Sequence, residues 1–268
     1  MQSSFLELEK GRIHFYRFGD GPRLLIAFHG FGDSAGLFGS LQSLDQYTVI
    51  ALDLPYHGRT RWRAPKYDIA DIDAMVSAVL AREGRKTFTG LGFSFGGRIW
   101  LSSICRFASR LEALWLIAPD GLGTRGMAFP LIVPLPLRRL LVRAMQKPDW
   151  LLALAANLRR LRLLDAFSLR FLHFFLNNKE RRRCLLHTWL SLDAFRVCRR
   201  KVRQQLRESR LKATFVLGRQ DELISIPVVR RFAAGLEHVG VLTRKGDHYS
   251  LIDRELAALI VKKGKIKN

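Results

Sequence analysis

Ser94 lies in Gly92-Phe93-Ser94-Phe95-Gly96, with Gly90 just before this stretch and Gly97 just after it. An apolar run leads in and a helix-like run follows. Glycine is costly inside regular structure. It is favoured where the backbone takes positive φ or must be approached closely. The pattern G-x-S-x-G in that setting predicts a sharp strand–turn–helix. Such a turn holds the serine hydroxyl proud of a sheet and aims the N–H groups of a helix start at the same point. The chemistry prepared in this way is nucleophilic attack. A serine hydroxyl is a weak nucleophile near neutral pH. It needs a base within hydrogen-bond reach, and the base needs a carboxylate to orient it.

Seven histidines compete for the role of base. His14 falls in a strand-like segment, His173 and His187 in a helix-rich insert, and His238 just ahead of the last apolar run. His29 and His57 each precede glycine at a strand end. His248, in Gly246-Asp247-His248-Tyr249, follows the last predicted strand. It therefore shares with Ser94 the carboxyl edge of the sheet, where sites form in open α/β folds. His248 is the expected base. The acid is expected between serine and base in chain order. Asp221, in Leu217-Gly218-Arg219-Gln220-Asp221-Glu222, follows the next-to-last strand and is the first candidate. Asp120, at the end of the strand before the insert, is the second. Glu222 should point elsewhere. Asp247 is too close to His248 in sequence for a productive side-chain contact.

These residues need a sheet whose strands end on one side. Short apolar runs, rich in β-branched or aromatic residues, predict strands at 23–29, 48–54, 86–92, 111–118, 211–217 and 239–243. Residues 12–18 alternate in character and predict an edge strand. Helical patterns fall at 69–82, 95–107, 227–236 and 251–263, with Pro227 placed as a first-turn residue. This rhythm predicts an α/β fold with a mostly parallel central sheet and helices on both faces. It stops between residues 121 and 210, which begin Gly/Pro-rich and then turn into Leu-, Phe- and Arg-rich helix. The expected organisation is a core of 1–120 and 211–268, with a basic helical cap at 121–210.

The 268 residues are 48% hydrophobic and 25% charged, ordinary for a globular chain. The balance of charge is not ordinary: 45 Lys and Arg stand against 23 Asp and Glu, a net +22. Residues 121–210 hold 20 of the basic residues and 5 of the acidic ones, so most of the excess sits in one third of the chain. A surplus of this kind favours anionic surfaces or ligands. It has three readings here: a solvated helix face, a contact with an anionic membrane surface, or a site for an anionic substrate. Nucleic acid is not an expected partner. The basic residues interleave with Leu and Phe at helical spacing, and no nucleic-acid-binding module is visible.

Cys105, Cys184 and Cys198 form no CxxC pair, so neither a zinc site nor a disulfide framework is expected, and the low odd count suits a reducing compartment. The first residues show no basic region followed by an apolar core, so no signal peptide is expected. The longest uncharged apolar stretch, Met127–Leu137, is too short to span a bilayer and contains three prolines. The expectation is a soluble, cytoplasmic protein, peripherally membrane-associated if the cap docks, with no metal or organic cofactor.

With these residues assembled, the chain resembles α/β-hydrolase-fold proteins that carry a helical cap. The likeness covers nearly the whole length. It rests on His29-Gly30-Phe31-Gly32, on Asp53-Leu54-Pro55-Tyr56-His57-Gly58-Arg59-Thr60, on the serine pentapeptide, on Asp221, and on Gly246-Asp247-His248. The resemblance implies an oxyanion hole made by the backbone N–H groups of Phe31 and Phe95, and structural roles for His29 and His57. Members of the family usually carry glycine where Tyr56 stands, a departure that bears on the local turn.

Residues 150–154 and 167–176 are strongly apolar. Placed over Ser94, they would line an apolar pocket together with Phe31, Phe93 and Phe95, with Tyr249 beside the base. The expected function is a serine hydrolase that cleaves a small-molecule carboxylic ester with an apolar acyl or aromatic group through an acyl-enzyme. The same residues could serve a thioester, lactone, amide or C–C bond, because one fold hosts all of these. A third reading is a non-catalytic protein that binds lipid or an anionic surface. The intact Ser, Asp and His set argues against it.

Overall fold

The computed structural model describes residues 1–123, 143, 145, 148–164 and 166–265. The chain opens with β1 (Gln2–Leu8) and β2 (Gly11–Phe18), followed by β3 (Arg23–Phe28), β4 (Tyr47–Leu52) and the two-residue β5 (Arg61–Trp62). Helix α1 (Ile69–Arg82) leads to β6 (Phe88–Phe93), α2 (Phe95–Ser102), α3 (Ile104–Phe107) and β7 (Leu111–Ile117). Four helices then precede β8 (Lys212–Gly218): α4 (Pro148–Arg160), α5 (Ala166–Leu176), α6 (Lys179–Ser191) and α7 (Arg199–Ser209). A 3₁₀ turn, Leu192–Phe195, follows α6. The chain closes with α8 (Ile226–Ala233), β9 (Val239–Arg244) and α9 (Arg254–Lys265).

Among the described residues the strands form one sheet in the order β1-β2-β4-β3-β6-β7-β8-β9, with β5 on β2. The pairings β1–β2 and β2–β4 are antiparallel, and every pairing along the sheet from β4 to β9 is parallel. Every residue of β4 and β6 is buried, as strands covered on both faces require. The ladders keep the carboxyl ends level. Phe28 pairs with Leu52 and Gly92, Phe93 with Ile117, Ile117 with Val216, and Val216 with Leu242. Four candidate site segments follow the strands that end on this edge.

The helices form for local reasons that the sequence displays. Asp68 caps α1: its carboxylate accepts from the N–H groups of Ala70 and Asp71, and Asp71 accepts in return from the Asp68 N–H. The stripe Ile72, Met75, Val76 and Val79 then faces the core at helical spacing. The helix expected at 95–107 is broken in two. Ser103 sits at the break and its hydroxyl bonds back to the Ile99 carbonyl at 2.6 Å. The strand at 11–18, expected at an edge, is the second strand of the sheet. The true edge is β1, where only Leu6 is buried, so no period marks it in the sequence. The Met127–Leu137 stretch lies outside the described residues.

The helices between β7 and β8 are tied to loops at the carboxyl edge. Ser191 Oγ accepts from the Tyr67 N–H at 3.0 Å, and His187 Nδ1 lies 2.6 Å from the Pro65 carbonyl. Tyr56 and His187 stack at 4.0 Å. Phe195 packs against Tyr67 and Phe95.

Asp53 organises the loops after β3 and β4. Its carboxylate accepts from the buried N–H of Ala35 (2.6 Å) and from the N–H of Arg59, an exposed residue (2.7 Å), and bonds the buried His14 Nδ1 (2.7 Å). Gly58, with φ +51, lies so close to this carboxylate that no side chain fits. Removing the carboxylate strands buried donors. Asp53→Ala is therefore expected to cost about 3–5 kcal/mol of stability in urea unfolding. A loss below about 1 kcal/mol would contradict this role.

Candidate active site

β6 runs straight into the serine. Ser94 has φ +49 and ψ −110, a conformation that L-residues rarely adopt and that costs about 1–3 kcal/mol. The turn is held from several sides. The Ser94 N–H donates to the Ile117 carbonyl at 3.0 Å, and the Ser94 carbonyl accepts from the Asp120 N–H at 3.0 Å. The Gly96 N–H donates to the His29 carbonyl at 3.1 Å. A Cβ on Gly96 would strike the Phe28 carbonyl, and one on Gly92 would come within 2.6 Å of Gly96 backbone. The glycines thus allow the start of α2 to sit directly against β3 and β6.

The loops after β8 and β9 are zipped together. The Gln220 N–H donates to the Gly246 carbonyl at 3.0 Å, and the Gly246 N–H donates to Gln220 Oε1 at 2.5 Å. Asp221 Oδ1 accepts from the N–H groups of Leu223 (2.8 Å) and Ile224 (3.1 Å), which leaves Oδ2 for His248 Nδ1 at 2.8 Å. His248 Nε2 lies 3.0 Å from Ser94 Oγ. Burial alone would raise the Asp221 carboxyl. The His248 bond and the two backbone N–H groups outweigh it and hold the group below the usual carboxylate range. An ionised carboxylate only accepts, so His248 Nδ1 carries the proton and Nε2 is left to accept from the serine hydroxyl. The three residues brought together are the three singled out in the sequence.

The runners-up are engaged elsewhere. Asp120 Oδ2 accepts from Arg98 Nε at 2.6 Å, and both side chains are buried under the serine turn. Asp247 accepts from the N–H groups of Tyr249 and Ser250 at the surface. His29 and His57 hold the neighbouring loops. His29 Nε2 accepts from the Leu54 N–H at 3.0 Å, and His57 Nδ1 lies 2.9 Å from the Pro55 carbonyl. Tyr56 has φ +68, the left-handed region in which glycine is at ease. Its ring is held by His187 on one side and by the Arg183 guanidinium, 5.3 Å from its centroid.

Phe31 sits in the loop after β3 and stacks on Phe175 of α5 at 4.9 Å. Phe95 is the first residue of α2, where an N–H has no acceptor inside the helix. The rings of Phe93 and Phe95 have no exposed surface. Phe93 packs on His248 at 5.0 Å and Phe95 on Phe195 at 6.0 Å. Tyr249 is exposed, 6.0 Å from Phe93.

The expected apolar lining differs from what is found. A cavity of about 520 Å³ beside the β3 loop is lined by Gly32, Asp33, Tyr56, His57, Phe175 and Arg181, among others. Its character is mixed. Of the described side chains at 150–154 and 167–176, Phe175 and Leu176 turn inward whereas Trp150, Leu154 and Phe174 are exposed. Asp33 escaped notice in the sequence. Burial raises its carboxyl, against the opposing pull of His29 and His248. Its signal was its place in the loop, two residues after Phe31. Cys184 was missed too: its Sγ lies 3.1 Å from His57 Nε2. Burial pushes this thiol up to about 12, while burial and the neighbouring His29 bring His57 down to about 3, so both are neutral. Among the described residues no cluster of His, Cys, Asp and Glu could hold a metal ion.

A profile of the alpha/beta hydrolase fold family matches residues 23–255. The chain belongs to this family. It is 29% identical over 121 residues to the dihydrolipoyllysine-residue acetyltransferase component of the acetoin cleaving system of Cupriavidus necator, covering 44% of this chain and 32% of that protein. It is 29% identical over 109 residues to the lipase LipV of Mycobacterium tuberculosis, covering 40% and 41%. The matched stretches thus span less than half the length of either relative. Among solved structures, the thioesterase domain from the curacin biosynthetic pathway superposes with a TM-score of 0.69 at 17% identity, over 97% of this chain and 99% of that one. A membrane phospholipase A, a bacterial virulence factor, superposes with a TM-score of 0.62 at 20% identity, over 97% and 84%. At these identities the two structures establish the fold.

Two outcomes follow from the site's electrostatics. The Asp221 carboxyl is depressed on folding, so its contribution is complete above the unfolded value of about 3.9 and fades as pH falls through the lower folded value. The stability gap between the parent and Asp221→Asn should shrink as pH falls below about 4. A gap that stays level to about pH 3 would show that the carboxyl is not depressed. In a native thiol titration with a disulfide reagent, exposed Cys105 and Cys198 should react, and buried Cys184 only after denaturation. Rapid reaction of all three would place Cys184 outside the packed junction described here.

Proposed function

We propose that the protein is a serine hydrolase that cleaves a carboxylic ester with an apolar acyl or aromatic group. The observation that carries the reading is the Asp221–His248–Ser94 chain, at 2.8 and 3.0 Å, on a strained turn at the end of β6. In this reading Ser94 Oγ attacks the ester carbonyl carbon as His248 Nε2 takes the hydroxyl proton. The bond to the leaving oxygen breaks, and His248 returns the proton to that oxygen. An acyl-enzyme remains. Water then attacks it, giving its proton to His248, and the carboxylic acid leaves as the serine regains its hydrogen. Asp221 keeps the imidazole in the tautomer this requires and stabilises the imidazolium as it forms.

The backbone N–H groups of Phe31 and Phe95 are the proposed donors to the tetrahedral oxyanion. Loss of one such donor typically costs about 10²–10³ in rate. Phe31 and Tyr249 are the proposed substrate contacts; the rings of Phe93 and Phe95, expected beside them, are fully packed and support the site from behind. Residues 121–210 are the proposed cap. The partial likeness to a lipase is in keeping with the proposed ester.

Labelling with a fluorophosphonate probe tests the reading. The parent should label and release p-nitrophenol from p-nitrophenyl esters. Ser94→Ala should not label, and His248→Ala should lose at least about 10³-fold in kcat. Folded parent that stays unlabelled with and without detergent or lipid would overturn the hydrolase in favour of a binding protein.

A further inference from the structure

Five large apolar side chains in one stretch stand in solvent: Trp150 (49% exposed), Leu154 (46%), Leu161 (67%), Leu163 (73%) and Phe174 (49%). They are not scattered. Trp150, Leu154 and Leu161 are spaced i, i+4 and i+11, which places them within about 40° of one another around a helix. The Leu161 N–H still bonds the Asn157 carbonyl at 3.0 Å, so the helical path continues to that residue. The opposite side of α4 buries Ala155 and leans Leu151 and Leu152 on the core. The helix thus has an apolar stripe on the side that solvent should solvate. The exposed Asn157 is the polar residue within this stripe; a cluster of exposed large apolar side chains on one helix face marks an interaction surface.

The chemistry around the stripe narrows the partner. Arg159, Arg160 and Arg162 end the same helix and turn, and Arg170 follows on α5. Arg181 of α6 holds its guanidinium 3.9 Å from the Phe174 ring centroid. Trp, Leu and Phe interleaved with arginine is the pattern of a surface that buries apolar groups in the headgroup boundary of an anionic bilayer. A second copy of the chain would bring the same dense positive charge and be repelled. A nucleic acid would use the arginines but not the stripe. Among the described residues no helix is long and apolar enough to cross a membrane, so the association is peripheral. Helix α7 has more basic residues, but no large exposed apolar side chain lies on it.

We infer that α4, the turn after it and the Phe174 side of α5 form a docking surface for an anionic lipid bilayer. The placement connects to the candidate site through one pair of residues. Phe174 faces solvent, and the next residue, Phe175, is 5% exposed and stacks on Phe31 beside the cavity. A bilayer on the Phe174 side lies against the wall of the cavity. The purpose of the surface, delivery of a lipid ester, rests on the ester-hydrolase reading. The docking itself does not.

Co-sedimentation of the full chain tests the inference with phosphatidylcholine vesicles, with and without about one third phosphatidylglycerol. The parent should partition at least about tenfold more strongly onto the anionic vesicles, and less as salt rises. Trp150→Ser/Leu154→Ser/Leu161→Ser should reduce binding by about tenfold or more and leave hydrolysis of a soluble short ester unchanged. Because those positions are exposed, the variant should fold, and single Trp150→Ser gives a milder check. Arg159→Gln/Arg160→Gln/Arg162→Gln should weaken binding by about fivefold per arginine and flatten its salt dependence. Ser94→Ala should bind vesicles like the parent, so a failed probe experiment with intact binding would remove the hydrolase and keep the surface. Absence of binding by the parent at low salt overturns the inference. So does unchanged binding of the apolar variant, which would assign the attraction to basic charge alone. Self-association abolished by that variant, without vesicle binding, would make a second copy the occupant.

Discussion

The site depends on how closely the first turn of α2 can approach the sheet. Ser94 takes its left-handed φ because the chain must reverse at once from β6 into a helix that lies on β3, β6 and the segment after β7. Gly92 and Gly96 meet backbone, and Gly97 faces Pro119, whose Cβ would lie 2.6 Å from any Cβ placed there. A side chain at any of the three would push the helix away. The N–H groups at its start, and the serine hydroxyl, would then move relative to His248. The unfavourable φ at one residue is offset by ladder and loop hydrogen bonds on both sides of it.

Buried polar ties keep that approach in place. Arg98 of α2 and Asp120 after β7 form an ion pair beneath the turn, and the Asp120 N–H also holds the Ser94 carbonyl. His29 joins three segments at once: its ring accepts from the Leu54 N–H, its own carbonyl accepts from the Gly96 N–H, and it tilts against His57 at 5.0 Å. Asp53 then binds the loops after β3 and β4 to β2. These groups have few conformations in which every donor and acceptor is met. They therefore fix the relative positions of loops that have little regular structure of their own.

The parallel strands were legible because burial on both faces writes a short, uncharged, β-branched run. β1 was not, because one buried leucine in seven residues leaves no period. The Ser94, Asp221 and His248 positions were legible because each falls at a fixed place relative to a strand end, and the sheet alone levels those ends. Asp33 and Cys184 were hidden for the opposite reason. Their environments come from segments far apart in the chain, and an aspartate in a loop or a cysteine in a helix carries no spacing that announces it. The apolar lining was misjudged because composition does not tell which side of α4 and α5 faces in. Trp150 and Phe175 belong to equally apolar stretches and end on opposite sides.

That division between inward and outward aromatic residues links surface to chemistry. Phe175 and Phe31 form a stacked pair across the junction of α5 and the loop after β3. Gly32, with φ +80, lies under the Phe175 ring, where a Cβ would come within 2.9 Å. The loop that carries the proposed oxyanion donor is therefore packed directly on a helix of the insert. A displacement of α5 would unstack this pair and alter the loop that carries Phe31. Phe175 of α5 is in this sense part of the cavity's wall, one residue from the outward-facing Phe174. A surface so placed can shift how well the donor loop is held without contacting the serine at all.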